Sequence, residues 1–443
     1  MFRRALAVAT LLFSVTLPAA PRATPQVAIR KLVEHTYKTD EPGAVVLAVR
    51  NGEVIYRDAR GLADMELRTP LRPDMLLKLG SITKQFTAAA ILTLAQENKL
   101  ALTDPLSKYV SGFPDTLTLE HLLTHTGGVA EYTPMPEYAT QLRQDATVES
   151  IVSLIRAKPL EFAPGAQFKY TNSAYFLLGA VIEKVTGETY AAYLKKAVLE
   201  PNGLTNTRID SLTEIIPNRV RGYDRDANGL RNATIYSPTR ALAVGNLLST
   251  VDDLRRWNER AIADPRFTPA FTPYKLAGGK ETGYGYGWFL GDLEGSRVIE
   301  HGGDIPGFSA HVLTIPEKKI FVAVLTNDAQ HTPRPDYVAT KIALTLLGKT
   351  YEPVSIAMTA EALETFTGTY RSANGTERRV LREGTKLFIE RIGGRRSEIV
   401  PSGPNTFFYP ETFLNVQFTG ETLVLRNRST EMDRATKVTP SNP

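Results

Sequence analysis

Gly80-Ser81-Ile82-Thr83-Lys84-Gln85-Phe86 places a hydroxyl and an amine three residues apart. On a helix that spacing sets them one turn apart on one face. The residues from Thr87 to Ala95 contain no Gly or Pro and mostly favour helix, so a helix is expected to run on from here. Gly80 allows a sharp turn into the first helical position. Ser81 would then stand at the positive end of the helix with its own N–H unspent. A serine hydroxyl is a poor nucleophile until a neighbour takes its proton. Lys84 can do so if burial and nearby charge make the neutral amine accessible. Ser-x-x-Lys also arises by chance, so the reading depends on what the rest of the chain supplies.

Two other stretches supply it. In Lys169-Tyr170-Thr171-Asn172-Ser173, Tyr170 and Asn172 alternate in an extended turn and can face one cleft. A phenol beside ammonium-bearing or hydrogen-bonding neighbours is expected to ionise more easily and shuttle protons. Asn172 both donates and accepts, which suits a substrate amide. Alone, the stretch equally fits a helix-start loop with Asn172 or Ser173 as cap and Tyr170 packed. In Glu300-His301-Gly302-Gly303-Asp304, which follows a strand, the paired glycines would let a ligand lie against the backbone. His301 is expected to line the cleft, and the Asp304 N–H to join that of Ser81 around an oxyanion. Alone, it also reads as a Gly-rich strand end with a partly exposed histidine.

Competing sites are weak. Gly307-Phe308-Ser309-Ala310-His311 starts like a nucleophile elbow but lacks the closing glycine, so Ser309 reads as structural. His121 and His125 have the i, i+4 spacing of a zinc pair. No Glu stands beside His121 in the metalloprotease arrangement and no third ligand is evident, so they read as packing histidines.

Working outward, 44–50 reads as a buried strand, Asn51-Gly52 as a hairpin turn and 53–57 as the returning strand. Three more strand-like runs come at 296–300, 310–315 and 319–326. Both ends of this region are therefore expected in one mainly antiparallel sheet, with a helical insertion between them. Helices are expected after the cap Thr118, over 174–185 with Gly187 as stop, from Thr250, and over 336–347 packing on the sheet. The expected organisation is a signal over 1–23, a large α/β domain over 24–350, a linker over 351–358 and a small all-β domain over 359–443. The strands of that last domain are expected within 359–430, and the residues after Arg428 to be disordered. Its arginines 378, 379, 382, 391, 395 and 396 read as a solvated strand face.

The chain has 443 residues, 42% hydrophobic and 22% charged, which suits a globular protein of two domains. The formal net charge of +5 is small for this length and no Lys/Arg run carries it, so nucleic acid is not an expected partner. With no cysteine, disulfides, thiolate nucleophiles, Cys-ligated zinc and a bacterial lipoprotein anchor are excluded. Phe2-Arg3-Arg4, an apolar run to about Val15 and Leu17-Pro18-Ala19-Ala20 together look like a secretory signal. A secreted, periplasmic protein with no stable membrane span after signal cleavage is expected.

Taken in order, Ser81-x-x-Lys84, Tyr170-x-Asn172 and His301-Gly302-Gly303 resemble the penicillin-recognising serine hydrolases. These are class C-type β-lactamases, DD-carboxypeptidases, D-aminopeptidases and esterases. Accessory stretches at 121–128, 164–165, 201–204 and 284–288 carry the same resemblance, which covers about residues 28–348. It implies a β-lactamase/transpeptidase-like three-layer fold, an antiparallel sheet flanked by helices. It further implies Ser81 as the acylated nucleophile, Lys84 and Tyr170 as the proton-transfer pair and Asn172 as a substrate amide contact. His301, Gly302 and Gly303 would form the substrate-binding strand, beside the Asp304 N–H read above as an oxyanion donor, and no metal or organic cofactor is implied. A small β-barrel after such a domain is known in the family.

Class C β-lactamases usually carry Lys-Thr-Gly where His301-Gly302-Gly303 stands, and losing a permanent cation weakens the case for binding a β-lactam carboxylate. The expected substrates are small amides, D-amino-acyl peptides or β-lactams, with carboxylic esters close behind. A non-hydrolytic penicillin-binding sensor is the alternative from another class. Whether Lys84 or Tyr170 is the base stays open.

Overall fold

Strands from the two ends of residues 44–326 meet in one sheet in the computed structural model, which describes residues 24–438 apart from 374, 393, 395 and 429. The expected export signal lies outside the described residues. The sheet strands are β1 (Ala44–Arg50), β2 (Glu53–Arg60), β3 (Phe289–Leu293), β4 (Ser296–Ile305), β5 (Phe308–Ile315) and β6 (Ile320–Thr326). They lie in the order β3-β4-β5-β6-β1-β2, with every neighbouring pair antiparallel. Asn51 and Gly52, at φ 55° and 81°, close the β1–β2 hairpin.

β1 and β6 are unbroken apolar runs because both of their faces are covered. Val45, Leu47 and Val49 enter the core shared with the helical middle of the chain. Ala44, Val46 and Ala48 enter a second core. The helices Pro25–Thr36 and Pro335–Leu346 complete that second core with Ile29, Val33, Val338 and Ile342. The period-two alternation of one strand therefore separates two cores and produces three layers.

Between β2 and β3 the chain is mainly helical. Thr118, Thr171 and Thr250 cap helices by accepting from the N–H groups of His121, Ser173 and Asp253. Gly187, at φ 69°, ends the helix Asn172–Thr186. The helix Thr83–Gln96 is buried on every side from Thr83 to Leu92. It has no wet face, which explains its nearly uniform run of apolar and small residues. Among the described residues no helix is long and apolar enough to cross a membrane.

Eight further strands, from Gly368–Ser372 to Thr430–Val438, close an antiparallel barrel around Tyr370, Ile389, Phe407 and Phe418. The stretch after Arg428, expected to be disordered, is the last barrel strand. Thr430–Val438 pairs with both Gly368–Ser372 and Thr422–Asn427. Ala435 is its one fully buried residue, so the strand carries no apolar alternation to read. Arg379 and Arg382 pair with Glu390 and Glu364 on the solvated face expected, whereas the Arg378–Asp433 pair is mostly buried and Arg396, paired with Glu383, buries two of its nitrogens.

Phe413 and Arg428 join the barrel to the large domain. Phe413 packs against Tyr337 and Tyr351, with ring centroids 5.2 and 4.3 Å away. Arg428 grips Glu300 of β4 with both terminal nitrogens, at 3.0 and 2.9 Å, and also reaches Thr340 Oγ1 at 2.8 Å. His311 Nε2 lies 3.1 Å from the same carboxylate. Burial would push the Glu300 carboxyl up, but Arg428 and His311 override it and bring it down to about 2. Arg428→Met leaves that carboxylate buried without its fork, and breaking such a pair from one side costs about 3–5 kcal/mol. Urea unfolding should show a clearly lower midpoint for this variant; an unchanged midpoint would contradict the pairing.

Candidate active site

β3 pairs with β4 only as far as Glu300, so the rest of β4 keeps an edge free of that partner. The turn around Gly80 and Ser81 lies against this stretch. A Cβ on Gly303 would sit 1.9 Å from the Leu79 carbonyl oxygen and 2.9 Å from Ser81 N. A Cβ on Gly80, whose φ is +53°, would sit 2.7 Å from Asp304 N. These two glycines let two backbones touch, and the contact brings the amides of Ser81 and Asp304 together. Gly303 therefore makes room for the serine turn itself, where the sequence suggested room for a ligand. The Gly302-Gly303 pair also lies inside β4 (Ser296–Ile305), not after a strand.

Ser81 is half-buried in the single turn Gly80–Ile82 that leads into the helix Thr83–Gln96. Leu79 N donates to Leu247 O at 2.9 Å, and Leu247 N to Thr83 Oγ1 at 3.2 Å, so the turn is tied down on both sides. One turn on, Lys84 is fully buried. Its Nζ lies 3.0 Å from Ser81 Oγ, 2.8 Å from Asn172 Oδ1 and 3.1 Å from the Val244 carbonyl. Val244 belongs to the segment Pro238–Gly245, whose helical backbone breaks at Leu242. No sequence signal pointed to Val244, because a main-chain carbonyl leaves no residue-type signature.

Burial pushes the Lys84 ammonium down to about 7, with Glu131 acting weakly the other way. A neutral amine has two N–H groups and one lone pair. The Val244 carbonyl and Asn172 Oδ1 can only accept, so they take both N–H groups. The lone pair is then left for Ser81, whose hydroxyl becomes the donor.

Thr171, not Asn172 or Ser173, caps the helix that follows Tyr170. Asn172 is its first residue; its Oδ1 is held by Lys84 and its Nδ2 donors remain for a ligand. The Tyr170 ring centroid lies 4.9 Å from Lys84 Nζ. The ring is nearly parallel to that of Phe289, 16° apart with centroids separated by 6.1 Å. Burial pushes the Tyr170 phenol up, and the Ser81 hydroxyl offsets this only in part. The expectation that Tyr170 ionises easily is therefore reversed. Its neighbour Lys84 is already near neutral and contributes no lasting positive charge.

His301 packs among the rings of Tyr170, Tyr284 and Phe289 and is 2% exposed, so it does not line open cleft as expected. Its Nε2 lies 3.1 Å from the Tyr284 hydroxyl and its Nδ1 2.6 Å from the Gly302 carbonyl. Burial, with the nearby Lys84 charge, takes its imidazolium down to about 3. Asp304 accepts from Ser309 Oγ at 2.7 Å and from Arg334 Nη2 at 2.6 Å. His125 Nδ1 accepts from Thr171 N at 3.2 Å and so fixes the Tyr170 loop. His121 closes the capping box of Leu119–Leu123. Glu131, which the sequence reading passed over, accepts from Asn172 N at 2.6 Å.

The family model described as Beta-lactamase matches residues 28–347. Penicillin-binding protein 4* of Bacillus subtilis (strain 168) is 27% identical over 88% of this chain and 93% of its own. Protein flp of Staphylococcus aureus (strain N315) is 26% identical over 69% of this chain and 64% of its own. Among solved structures, the octameric penicillin-binding protein homologue from Pyrococcus abyssi superimposes with a TM-score of 0.66 and 27% identity, over 93% of this chain and 99% of that one. The D-stereospecific amidohydrolase from Streptomyces sp. gives 0.63 and 24%, over 73% and 99%, a likeness of fold.

If the neutral Lys84 amine is what receives the Ser81 proton, acylation of Ser81 should rise with pH through about 7 and level off above it. His301, held near 3, adds no inflection in that window. The rate of labelling by a fluorophosphonate probe between pH 5 and 9 measures this. A flat profile would contradict the assignment.

Proposed function

Because the chain belongs to the Beta-lactamase family, we propose that it is a serine hydrolase working through an acyl ester on Ser81. The observation that carries this reading is the buried Lys84 amine, with two N–H groups engaged by acceptors that cannot donate and a third contact, at 3.0 Å, to Ser81 Oγ. As Ser81 Oγ attacks a substrate carbonyl, its proton passes to Lys84 Nζ. The N–H groups of Ser81 and Asp304 hold the resulting oxyanion, a device in which one lost donor costs roughly 10²–10³ in rate. Tyr170, kept protonated by burial, gives its proton to the leaving group and is reprotonated from Lys84. Water then cleaves the ester: its proton goes to the same pair, and Ser81 leaves as the alcohol. The reaction consumes one water per acyl group released, and the amine and phenol return to their starting states.

Small amides and D-amino-acyl peptides are the proposed substrates, with β-lactams in the same chemical class. Carboxylic esters are a second reading, favoured by one observation. The position at which β-lactamases of the resembling class present a lysine holds a buried, neutral imidazole, so nothing there selects for a carboxylate. The basic and apolar start of the chain, Phe2 to Ala20, supports a periplasmic or secreted location.

A panel of p-nitrophenyl esters, D-alanyl peptides and a chromogenic cephalosporin tests this reading. Ser81→Ala should abolish turnover without changing the circular dichroism; appreciable residual turnover would reject Ser81. A penicillin adduct that persists with no turnover of any panel member would instead make the chain a sensor. Tyr170→Phe should cost about 10²-fold or more on amides, where the amine must be protonated to leave. It should cost much less on p-nitrophenyl esters, whose phenolate leaves unaided. Equal losses on both would remove Tyr170 from that role.

A further inference from the structure

We propose that Glu131 is a positioning residue of the Ser81 site, holding Asn172 where Lys84 can donate to it. The proposal rests on the serine-hydrolase reading above. Glu131 Oε2 accepts from the backbone N–H of Asn172 at 2.6 Å. Its Oε1 accepts from Thr133 N at 3.1 Å and Thr133 Oγ1 at 2.9 Å, which fixes the carboxylate on its own loop. The neighbouring residues complete a clasp. Ser173 Oγ donates to the Ala130 carbonyl at 2.6 Å and accepts from Tyr132 N at 3.0 Å.

The segment Ala130–Tyr132 thus grips the first turn of the helix Asn172–Thr186, where backbone N–H groups have no partner within the helix. A carboxylate is also the charge that a helix start favours. Asn172 is thereby held at both ends, its main chain by Glu131 and its side chain by Lys84. If the helix start shifts, Asn172 Oδ1 leaves the amine, and the lone pair of Lys84 is no longer directed at Ser81.

Glu131 also acts on the amine through its charge. The groups facing Lys84 are Tyr170 from its loop, Tyr175 from the same helix as Asn172, His125 from the loop after Leu119–Leu123, and His301 from β4. Burial pushes both phenols up and both imidazoles down, so all four are neutral near pH 7. Glu131 is the negative charge that works against burial at Lys84.

The experiment follows fluorophosphonate labelling of Ser81 against pH in the full chain and in Glu131→Gln, Glu131→Ala and Glu137→Gln. Glu137 lies exposed on the short helix Pro136–Ala139 that follows and serves as the control. Glu131→Gln keeps an acceptor but loses the charge, so its acid limb should move to lower pH. Glu131→Ala loses the acceptor as well and should label about 10²-fold more slowly on the plateau, the usual effect of displacing a group ~1 Å near the chemistry. Glu137→Gln should move neither. An acid limb unmoved in Glu131→Gln overturns the proposal, and so does an undiminished plateau in Glu131→Ala. Should Glu131→Ala fail to fold, the limb of the Gln variant decides alone. Absence of Ser81 labelling in the unsubstituted protein would overturn the hydrolase reading and this proposal with it. Normal labelling there, with both Glu131 variants unchanged, overturns only the proposal.

Discussion

An amine stripped of water is the constraint around which this structure is arranged. Burial takes Lys84 from its ordinary 10.5 to about 7. The sign of the stability effect follows: the unfolded chain holds the proton more tightly, so the unfavourable contribution is complete below about pH 7 and shrinks as pH rises toward 10.5. Each unit of such a shift corresponds to about 1.4 kcal/mol. The three groups around Nζ come from three separate regions, and none of them is an anion in direct contact. A carboxylate in contact would have held the proton on. A wholly apolar pocket would have left N–H groups without acceptors. The arrangement lies between these limits and gives an amine that can both take and return a proton near neutral pH.

Geometry imposes the complementary requirement that the serine turn and the β4 edge touch through their main chains. Gly80 and Gly303 make this possible, since a methyl group on either would overlap backbone atoms of the other segment. The helix start at Asn172 and the broken segment Pro238–Gly245 then close in from the opposite side. Four lengths of chain far apart in sequence meet around one hydroxyl, each held by main-chain or buried polar contacts. The reacting groups thus sit on rigid elements, which keeps them at productive distances.

Much of the layering was legible because it follows from periodicity and turn chemistry. Unbroken apolar strands mean two covered faces, Asn51-Gly52 means a tight hairpin, and Thr118 and Thr250 precede helices for the same capping reason. The three stretches that meet at Ser81 could be named from residue types and order. Their protonation states could not, because burial is a property of the assembled core. Tyr170 and His301 show this most plainly: each looks reactive as a letter in the sequence, and each is driven by desolvation to its neutral form. Val244 contributes only a carbonyl, and Glu131 reaches the site through the main-chain N–H of Asn172 and through its charge, so neither left a pattern. The final barrel strand escaped notice because, Ala435 apart, its neighbours' side chains fill the interior.

The central pairing of β1 with β6 has a consequence for synthesis. On its β6 side, Ala44 finds its partner in Thr326 and Arg50 finds its partner in Ile320. A nascent chain therefore carries the apolar strand Ala44–Arg50, flanked on one side by β2 and open on the other, until nearly the whole sheet region has left the ribosome. An open apolar edge invites pairing with other chains, and contacts this distant in sequence form slowly. Keeping unfolded copies apart until β6 closes that edge should therefore raise the yield of folded protein.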